Sequence, residues 1–390
     1  MKIAFVVNSI GSKGGIGRVV LNIASQLKKK GHEIQILTIN CDSNFIKQYG
    51  ITKNEIKSHK KLNYLNKLSQ IPVFGFIIQI IKFVLYGFLL SINLSKNKPE
   101  IVNSHHYLCG ISGWILSRIL RISHVLTIHG IHSSKGIINT FYYWAYFCIL
   151  HFLKDRIPTL ISVDTNLKTH ESFKNMANRI EVIYPCIDEH YLTLLQKNMP
   201  RQNPDGGLKL IFVGRLEKQK GLDELLVNLA KNISNWSELK IVGTGNYEFQ
   251  LKKFVKKLNI SNKVQFMGFL TELEKFQVMN ESQIYISYSR SEGFPLVILE
   301  FLALGKPCII YPVGGISYFK NKFEKDKFGF FLKPQANFLK TILTDPYLSD
   351  LFLDKICEAR KQFVHNFYPD TITNEYLKIF EKTVKMSSLK

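Results

Sequence analysis

The sequence predicts an α/β protein made of two doubly wound domains, each a parallel sheet with helices on both faces. Three observations carry this. The chain has 390 residues, too many for one ordinary core and well suited to two. Short apolar runs of β type alternate with helical patterns, and the runs are nearly continuous in apolar character. Strands of that kind are buried on both faces, as parallel strands joined by crossover helices are. Finally, a stretch rich in Pro, Asn and Gly, Pro200-Arg-Gln-Asn-Pro-Asp-Gly-Gly207, divides two series of such runs, and no apolar periodicity crosses it.

In the first half the expected strands are Lys2–Val7, Glu33–Ile39, Glu100–Ser104, His124–Ile128, Leu160–Val163 and Arg179–Ile183. In the second they are Lys209–Val213, Leu239–Val242, Lys263–Met267, Gln283–Ser287, Pro307–Tyr311 and Gly329–Leu332. A glycine-rich loop, Asn8–Arg18, leads from the first strand into a helix over Val19–Lys30. The linker falls near Tyr184–Gly207, which gives an N-terminal domain of residues 1–190 and a second of residues 205–367. The tail, Phe367–Lys390, has the spacing of an amphipathic helix through Ile372, Tyr376, Leu377, Ile379 and Phe380. No repeat of solenoid period is present.

Composition narrows the partners. With 46% hydrophobic residues the chain is neither disordered nor collagen-like. The net charge of +22 favours anionic partners such as phosphorylated substrates, acidic lipid surfaces or nucleic acid. The six cysteines form no CxxC pair and no Cys/His cluster of zinc-finger spacing, so buried reduced thiols of a cytoplasmic protein are expected. The opening Met1–Val7 reads as a first strand and not as a secretory signal. Ile71–Leu94 is long enough to span a bilayer, but Pro72, Gly75, Gln79, Lys82, Gly87 and Asn93 interrupt it. A helix on a membrane surface and a buried core helix both fit. Thr140–Leu153 carries aromatics suited to an interface or to a core.

The residues able to do chemistry cluster at expected strand ends. In the first loop, Gly14 and Gly15 let the backbone approach a ligand, and the following helix start attracts phosphate. The loop matches neither G-x-G-x-x-G nor a P-loop, and a simple tight turn is the alternative. Val125-Leu-Thr-Ile-His129-Gly130 places an imidazole at the carboxyl edge of the sheet, where ligands gather in such folds. A strand-end Gly214-Arg215, followed by Lys220 at the next helix, makes a diphosphate clamp or a solvated charge cluster. Gly243 and the Gly268-Phe269 turn offer backbone groups to a base or ribose.

The most specific stretch is Ser289-Arg-Ser-Glu292-Gly293-Phe294-Pro295-Leu296-Val-Ile-Leu-Glu300. Pro295 suits the first position of a helix that runs to Leu304 and stops at Gly305. Free amides at Phe294 to Leu296 then face an anion. Glu300 interrupts an apolar helix and so needs a partner, and a carboxylate there can accept both hydroxyls of a ribose.

Glu292-x7-Glu300 with Gly293-Phe294 between resembles the motif of the retaining glycosyltransferases of family 4, and the resemblance covers nearly the whole chain. Gly14-Gly15-Ile-Gly17, Thr127-Ile-His129-Gly130, Gly214-Arg215 with Lys220-Gly221, and Phe367-Tyr368-Pro369 resemble the family's other motifs in order and spacing. The resemblance implies the GT-B fold: two facing Rossmann-like domains with a site in the interdomain cleft, and a last helix (residues 368–390) that crosses back onto the first domain. It implies that Arg215 and Lys220 neutralise the donor diphosphate. Glu300 would bind the ribose, and Glu292 with the amides of Phe294 to Leu296 the sugar and phosphate. Gly15 would approach the diphosphate from the other domain, and His129 would contact the donor sugar. It implies no metal and no cofactor beyond the nucleotide-sugar substrate. Two departures stand out: Tyr184-Pro185-Cys186 replaces the usual Asn-Gly before Ile187-Asp188, and no Glu follows Gly314-Gly315 near Ser317–Tyr318.

The expected activity is transfer of a sugar, with retention, to a saccharide or lipid-linked acceptor in cell-surface polysaccharide synthesis. It would take place in the cytoplasm, with peripheral attachment to an anionic inner membrane face. A GT-B nucleotide-sugar epimerase is the alternative. A non-catalytic basic protein of membranes or nucleic acid is another, although no RNP motif, helix-turn-helix or aromatic–basic interleaving supports nucleic acid as a partner.

Overall fold

The structure, a computed structural model, describes residues 1–11, 14–67, 72–130, 137–163, 165–170, 173–174, 178–195, 207–333, 338–345 and 348–388. The chain forms two compact units: Met1–Asp188 with Phe367–Lys390, and Glu189–Asn366. The expected connector residues 196–206 lie outside the described residues.

In the first unit seven strands run parallel: β1 Lys2–Ile10, β2 Glu33–Cys41, β3 Ile56–Ser58, β4 Ile101–His105, β5 Ser123–Ile128, β6 Thr159–Ser162 and β7 Ile180–Val182, in the order β3-β2-β1-β4-β5-β6-β7. The second has six: β8 Leu208–Val213, β9 Trp236–Val242, β10 Val264–Gly268, β11 Ile284–Ser287, β12 Cys308–Ile310 and β13 Gly329–Phe331, in the order β10-β9-β8-β11-β12-β13. Each is the doubly wound order, with its reversal between the first strand and the fourth. Every strand read from an apolar run is present. The edge strand β3 was not foreseen, because Ile-Lys-Ser has no apolar run of its own; it forms by pairing Ile56 with Ile36 of β2.

Two boundaries differ from expectation. Strand β1 continues to Ile10 because Ser9 and Ile10 pair with Asn40 and Cys41, and the next helix begins at Gly15 instead of Val19. The glycine loop therefore shrinks to residues 11–14, of which Ser12 and Lys13 lie outside the described residues. Residues 189–195, expected as connector, form helix Glu189–Leu195 of the second unit: Tyr191 is buried edge-on to Phe276, and its hydroxyl donates to the Glu300 carbonyl (3.1 Å).

Burial explains the remaining elements. Helix Pro72–Leu94 sinks Phe83, Tyr86, Leu90 and Leu94 into the first core. At Gly87 it lies so close to helix Tyr107–Leu120 that a Cβ would sit 2.9 Å from that of Ile115. Lys82 is turned inward and only 2% exposed, so half of Gly75–Leu94 is core. The tail helix Pro369–Ser388 belongs to the first unit. Its Phe380 packs edge-on against Phe5 of β1, Asp370 pairs with Lys30 (2.6 Å), and Thr383 meets Thr159 of β6 (3.2 Å). In the second unit a core around Trp236, Leu239, Ile241 and Ile286 fills the space between sheet and helices.

Candidate functional site

In the second unit the strand order reverses between β8 and β11, so their connections part and leave a crevice at the carboxyl ends. Lys220 follows β8 and Glu292 follows β11. They meet across this point, Nζ to Oε1 at 2.6 Å, with side chains only 15% and 12% exposed. The same carboxylate oxygen accepts from the hydroxyl of buried Ser289 (2.6 Å). The two loops are clasped: the Arg290 amide donates to the Gln219 carbonyl (2.9 Å), and the Gln219 side chain donates to the Ser291 carbonyl (2.8 Å). The Arg290 guanidinium pairs with Asp223 at 3.0 Å and Glu224 at 3.5 Å. A third loop closes behind. Gly314 has φ +58°, and a Cβ there would lie 1.7 Å from the Glu292 carbonyl oxygen. The Gly315 amide donates to the Gly293 carbonyl (2.7 Å).

The other expected residues of this unit take up different positions. Arg215 is exposed and paired with Glu217 at 2.6 Å, an ion pair weak enough to exchange for another anion. Gly243 has φ +129°, and a Cβ would collide with the Gly214 carbonyl at 1.9 Å, so the turns after β8 and β9 touch. Its amide donates to the Gly268 carbonyl (2.7 Å), beside the half-exposed Phe269. Pro295 is the N-cap and not the first helical residue, with φ −76° and ψ 109°. Having no N–H, it gives nothing to an anion. The helix amides available by geometry are those of Leu296 and Val297, at its first positions. Phe294 tilts against Phe319.

Glu300 is buried within helix Leu296–Ala303, and its partner is Lys275, Nζ to Oε1 at 2.9 Å. Lys275 also reaches Glu272 (3.0 Å). Sequence reasoning missed Lys275. The available signal was the capping box of Thr271 and Glu274, which starts helix Glu272–Glu281 and aims its first turns at the neighbouring helix. Among the described residues Glu292 and Glu300 meet no common hydrogen-bond or ion-pair partner, yet both carboxylates act on Tyr285 of β11. Burial first, then the Glu292 charge, pushes its phenol above the ordinary range, and Glu300 adds to this.

In the first unit Gly14 lies in extended backbone (φ −119°), and a Cβ at Gly14 or Gly15 would meet nothing within 4 Å. The fold therefore does not require glycine at either position. Gly17 is the tighter one, 3.1 Å from the Ser9 carbonyl. His129, half-buried, follows β5, and its Nε2 lies 2.8 Å from Nδ1 of the fully buried His105 at the end of β4. Loss of water around the rings lowers His129 to about 4 and His105 well below its usual value, with the neighbouring His129 adding to the latter. The pair is neutral at pH 7 and shares one proton at that contact. Among the described residues, Nε2 of His105 is buried without a hydrogen-bond partner. The sequence reading did not single out His105, although the strand-end argument applied to His129 covers it equally.

Two family models match this chain: "Glycosyltransferase Family 4" over residues 13–191 and "Glycosyl transferases group 1" over residues 196–347. A glycosyltransferase of Haemophilus influenzae is 29% identical over 326 residues, 80% of each chain. The O-antigen biosynthesis glycosyltransferase WclY of Escherichia coli is 25% identical over 88% of each. Among solved structures, Anabaena HepE in complex with UDP-glucose shares the fold with a TM-score of 0.73 at 18% identity, over 98% of this chain and 100% of that one. With both sheets in doubly wound order and the two models covering its two halves in turn, the chain belongs to the group 1 glycosyltransferases of GT-B fold.

Proposed function

We propose that this glycosyltransferase takes a nucleotide-sugar donor and passes the sugar, with retention of configuration, to a saccharide or lipid-linked acceptor in cell-surface polysaccharide synthesis. The observation that carries the reading is the Lys220–Glu292 contact at the strand-order reversal of the second sheet, beside the start of helix Leu296–Ala303. In this reading a donor takes over both partners. Lys220 and Arg215 turn to the diphosphate, Glu292 accepts from the sugar hydroxyls, and the amides of Leu296 and Val297 face a phosphate oxygen. Glu300, held by Lys275, accepts from the ribose. On the first unit, the open space at Gly14 and Gly15 admits a phosphate close to the backbone, and neutral His129 offers a hydrogen bond to the sugar. The cations and helix amides stabilise the leaving diphosphate, the task a metal performs elsewhere, so transfer is proposed to need neither metal nor cofactor. A cytoplasmic location, peripheral on the inner membrane face, completes the reading.

Support comes from the relatives: HepE is seen with UDP and with UDP-glucose, and WclY is named for O-antigen biosynthesis. The test is calorimetric binding of UDP-, GDP- and ADP-sugars, followed by transfer to extracted lipid-linked acceptors with and without EDTA. The anomeric configuration of the product is read by NMR. Lys220→Ala should weaken donor binding roughly 10- to 100-fold, the worth of one charge-assisted hydrogen bond. Full transfer by Glu292→Ala, or conversion of the donor without acceptor, contradicts the reading.

A further inference from the structure

Helices Pro72–Leu94, Tyr107–Leu120 and Ile137–Lys154 lie side by side in the first unit, and none contains an acidic residue. The first is the most apolar. Its only charged residue, Lys82, points into the protein. Its outer face shows Ile77, Ile81, Leu85, Phe88 and Ile92, the last 72% exposed. Their spacing of three and four residues makes one continuous stripe. Between the three helices opens a groove of about 500 Å³ whose lining is almost wholly apolar, with Phe88, Trp114 and Phe152 from the three helices in turn. Trp114 stands edge-on to Phe152, and its indole N–H has no hydrogen-bond partner among the described residues. The groove continues past Cys148 to Trp144, 70% exposed. Single exposed apolar residues are ordinary, but a connected face of this kind marks an interaction surface.

The charges around this face indicate its occupant. Arg118, Arg121 and Arg156 are exposed at its margin, with Asp155 beside them, and the Arg156 guanidinium lies over the Phe152 ring at 3.9 Å. A second copy of the chain would bring a margin of three arginines and a single acid against its like. A bilayer with anionic headgroups fits both features, taking the apolar stripe at the acyl boundary and the arginines at the phosphates. A membrane span does not fit, since half of Gly75–Leu94 is core.

We propose that this three-helix face seats the protein in the surface of an anionic bilayer, chiefly through apolar insertion. This deepens the membrane-surface part of the preceding reading and does not depend on the transfer chemistry. Because the stripe itself is uncharged, 0.5 M salt should reduce binding toward the level seen with neutral vesicles without abolishing it, whereas purely electrostatic attachment would be lost altogether through screening. The test is flotation of the full chain with phosphatidylglycerol/phosphatidylethanolamine vesicles and with phosphatidylcholine vesicles. Expected results are flotation with the anionic vesicles, roughly 10- to 100-fold weaker binding to the neutral ones, and quenching of tryptophan fluorescence by brominated lipid. The double variant Ile81→Asp/Phe88→Asp changes exposed positions only; it should lose at least tenfold in vesicle binding with an unchanged melting temperature. Nucleotide-sugar binding, measured without vesicles, should be the same in both proteins, so failure of the donor reading shows up separately. The proposal is overturned if the wild type stays soluble on anionic vesicles, or if the double variant floats as well as the wild type. It is also overturned if the wild type is a dimer by ultracentrifugation that the double variant dissociates.

Discussion

His124 and His129 sit in the first unit with their pKa values held down to about 3 and about 4, in each case by burial, from an ordinary value of 6.5. A ring that resists protonation when folded and accepts it when unfolded binds fewer protons in the native state. Its contribution to stability is therefore complete above pH 6.5 and declines as the pH falls toward the folded value. For His124, only 3% exposed, the loss at pH 5 comes to about 2 kcal/mol. Denaturant melts between pH 7.5 and 5 should show stability falling with acid, and His124→Gln should flatten the slope. A slope unchanged by that substitution would remove His124 from the account. Gln is suitable because the Ser104 hydroxyl, 3.0 Å from His124 Nε2, still needs a polar partner. Over the same range the shared proton of His105 and His129 stays in place, and the edge of the first sheet remains uncharged.

At the scale of elements, two pieces of the second unit are held by backbone demands that no side-chain pattern advertises. Gly314 opens the 3-10 turn Gly314–Phe319 in the left-handed region and presses against the Glu292 carbonyl. Gly314→Ala must displace the loop that carries Glu292, because the obstacle is backbone and cannot rotate away. Donor affinity should fall at least tenfold while the β8–β13 sheet keeps its circular-dichroism signal. The second piece hangs on Arg360 of helix Asp354–Val364, which is 0% exposed. Its guanidinium donates to the carbonyls of Phe328 (3.1 Å), Gly305 (2.9 Å), Leu351 (2.6 Å) and Lys327 (2.6 Å), tying three segments to its own helix. Arg360→Met keeps much of the bulk but strands those carbonyls. Each buried unpaired group costs about 1–3 kcal/mol, so a total loss of about 3 kcal/mol in urea unfolding is a low expectation. A loss under 1 kcal/mol would mean that water replaces the guanidinium.

For the molecule as a whole, what could be read in advance depended on whether the signal was local. Apolar runs such as Ile3–Val7 and Ile284–Ser287 are local, and they fixed the strands; strand-end residues such as His129 and Gly214 then fell at the carboxyl edges without further information. Lys275 under Glu300, His105 behind His129 and the carbonyl cage of Arg360 are long-range pairings: a capping box near Lys275 and a strand end at His105 mark where those residues lie, but no local signal names the partner of any of the three. The tail was legible as an amphipathic helix, and the resemblance implied its return to the first domain, but the residues it covers there were not legible. Its Phe380 is fully buried against Phe5 in the middle of β1, and Tyr376 is buried a turn earlier. The chain's last helix thus completes the core that its first strand begins. Phe380→Ala should cost about 3–5 kcal/mol, the usual loss for a buried phenylalanine whose cavity cannot collapse. The loss should concentrate in the first unit, seen as faster amide exchange along β1 and β5 with the β8–β13 sheet unaffected. If β1 kept its protection while Phe380→Ala was fully folded, the tail would be a surface appendage, and the first unit would have to be stable without it.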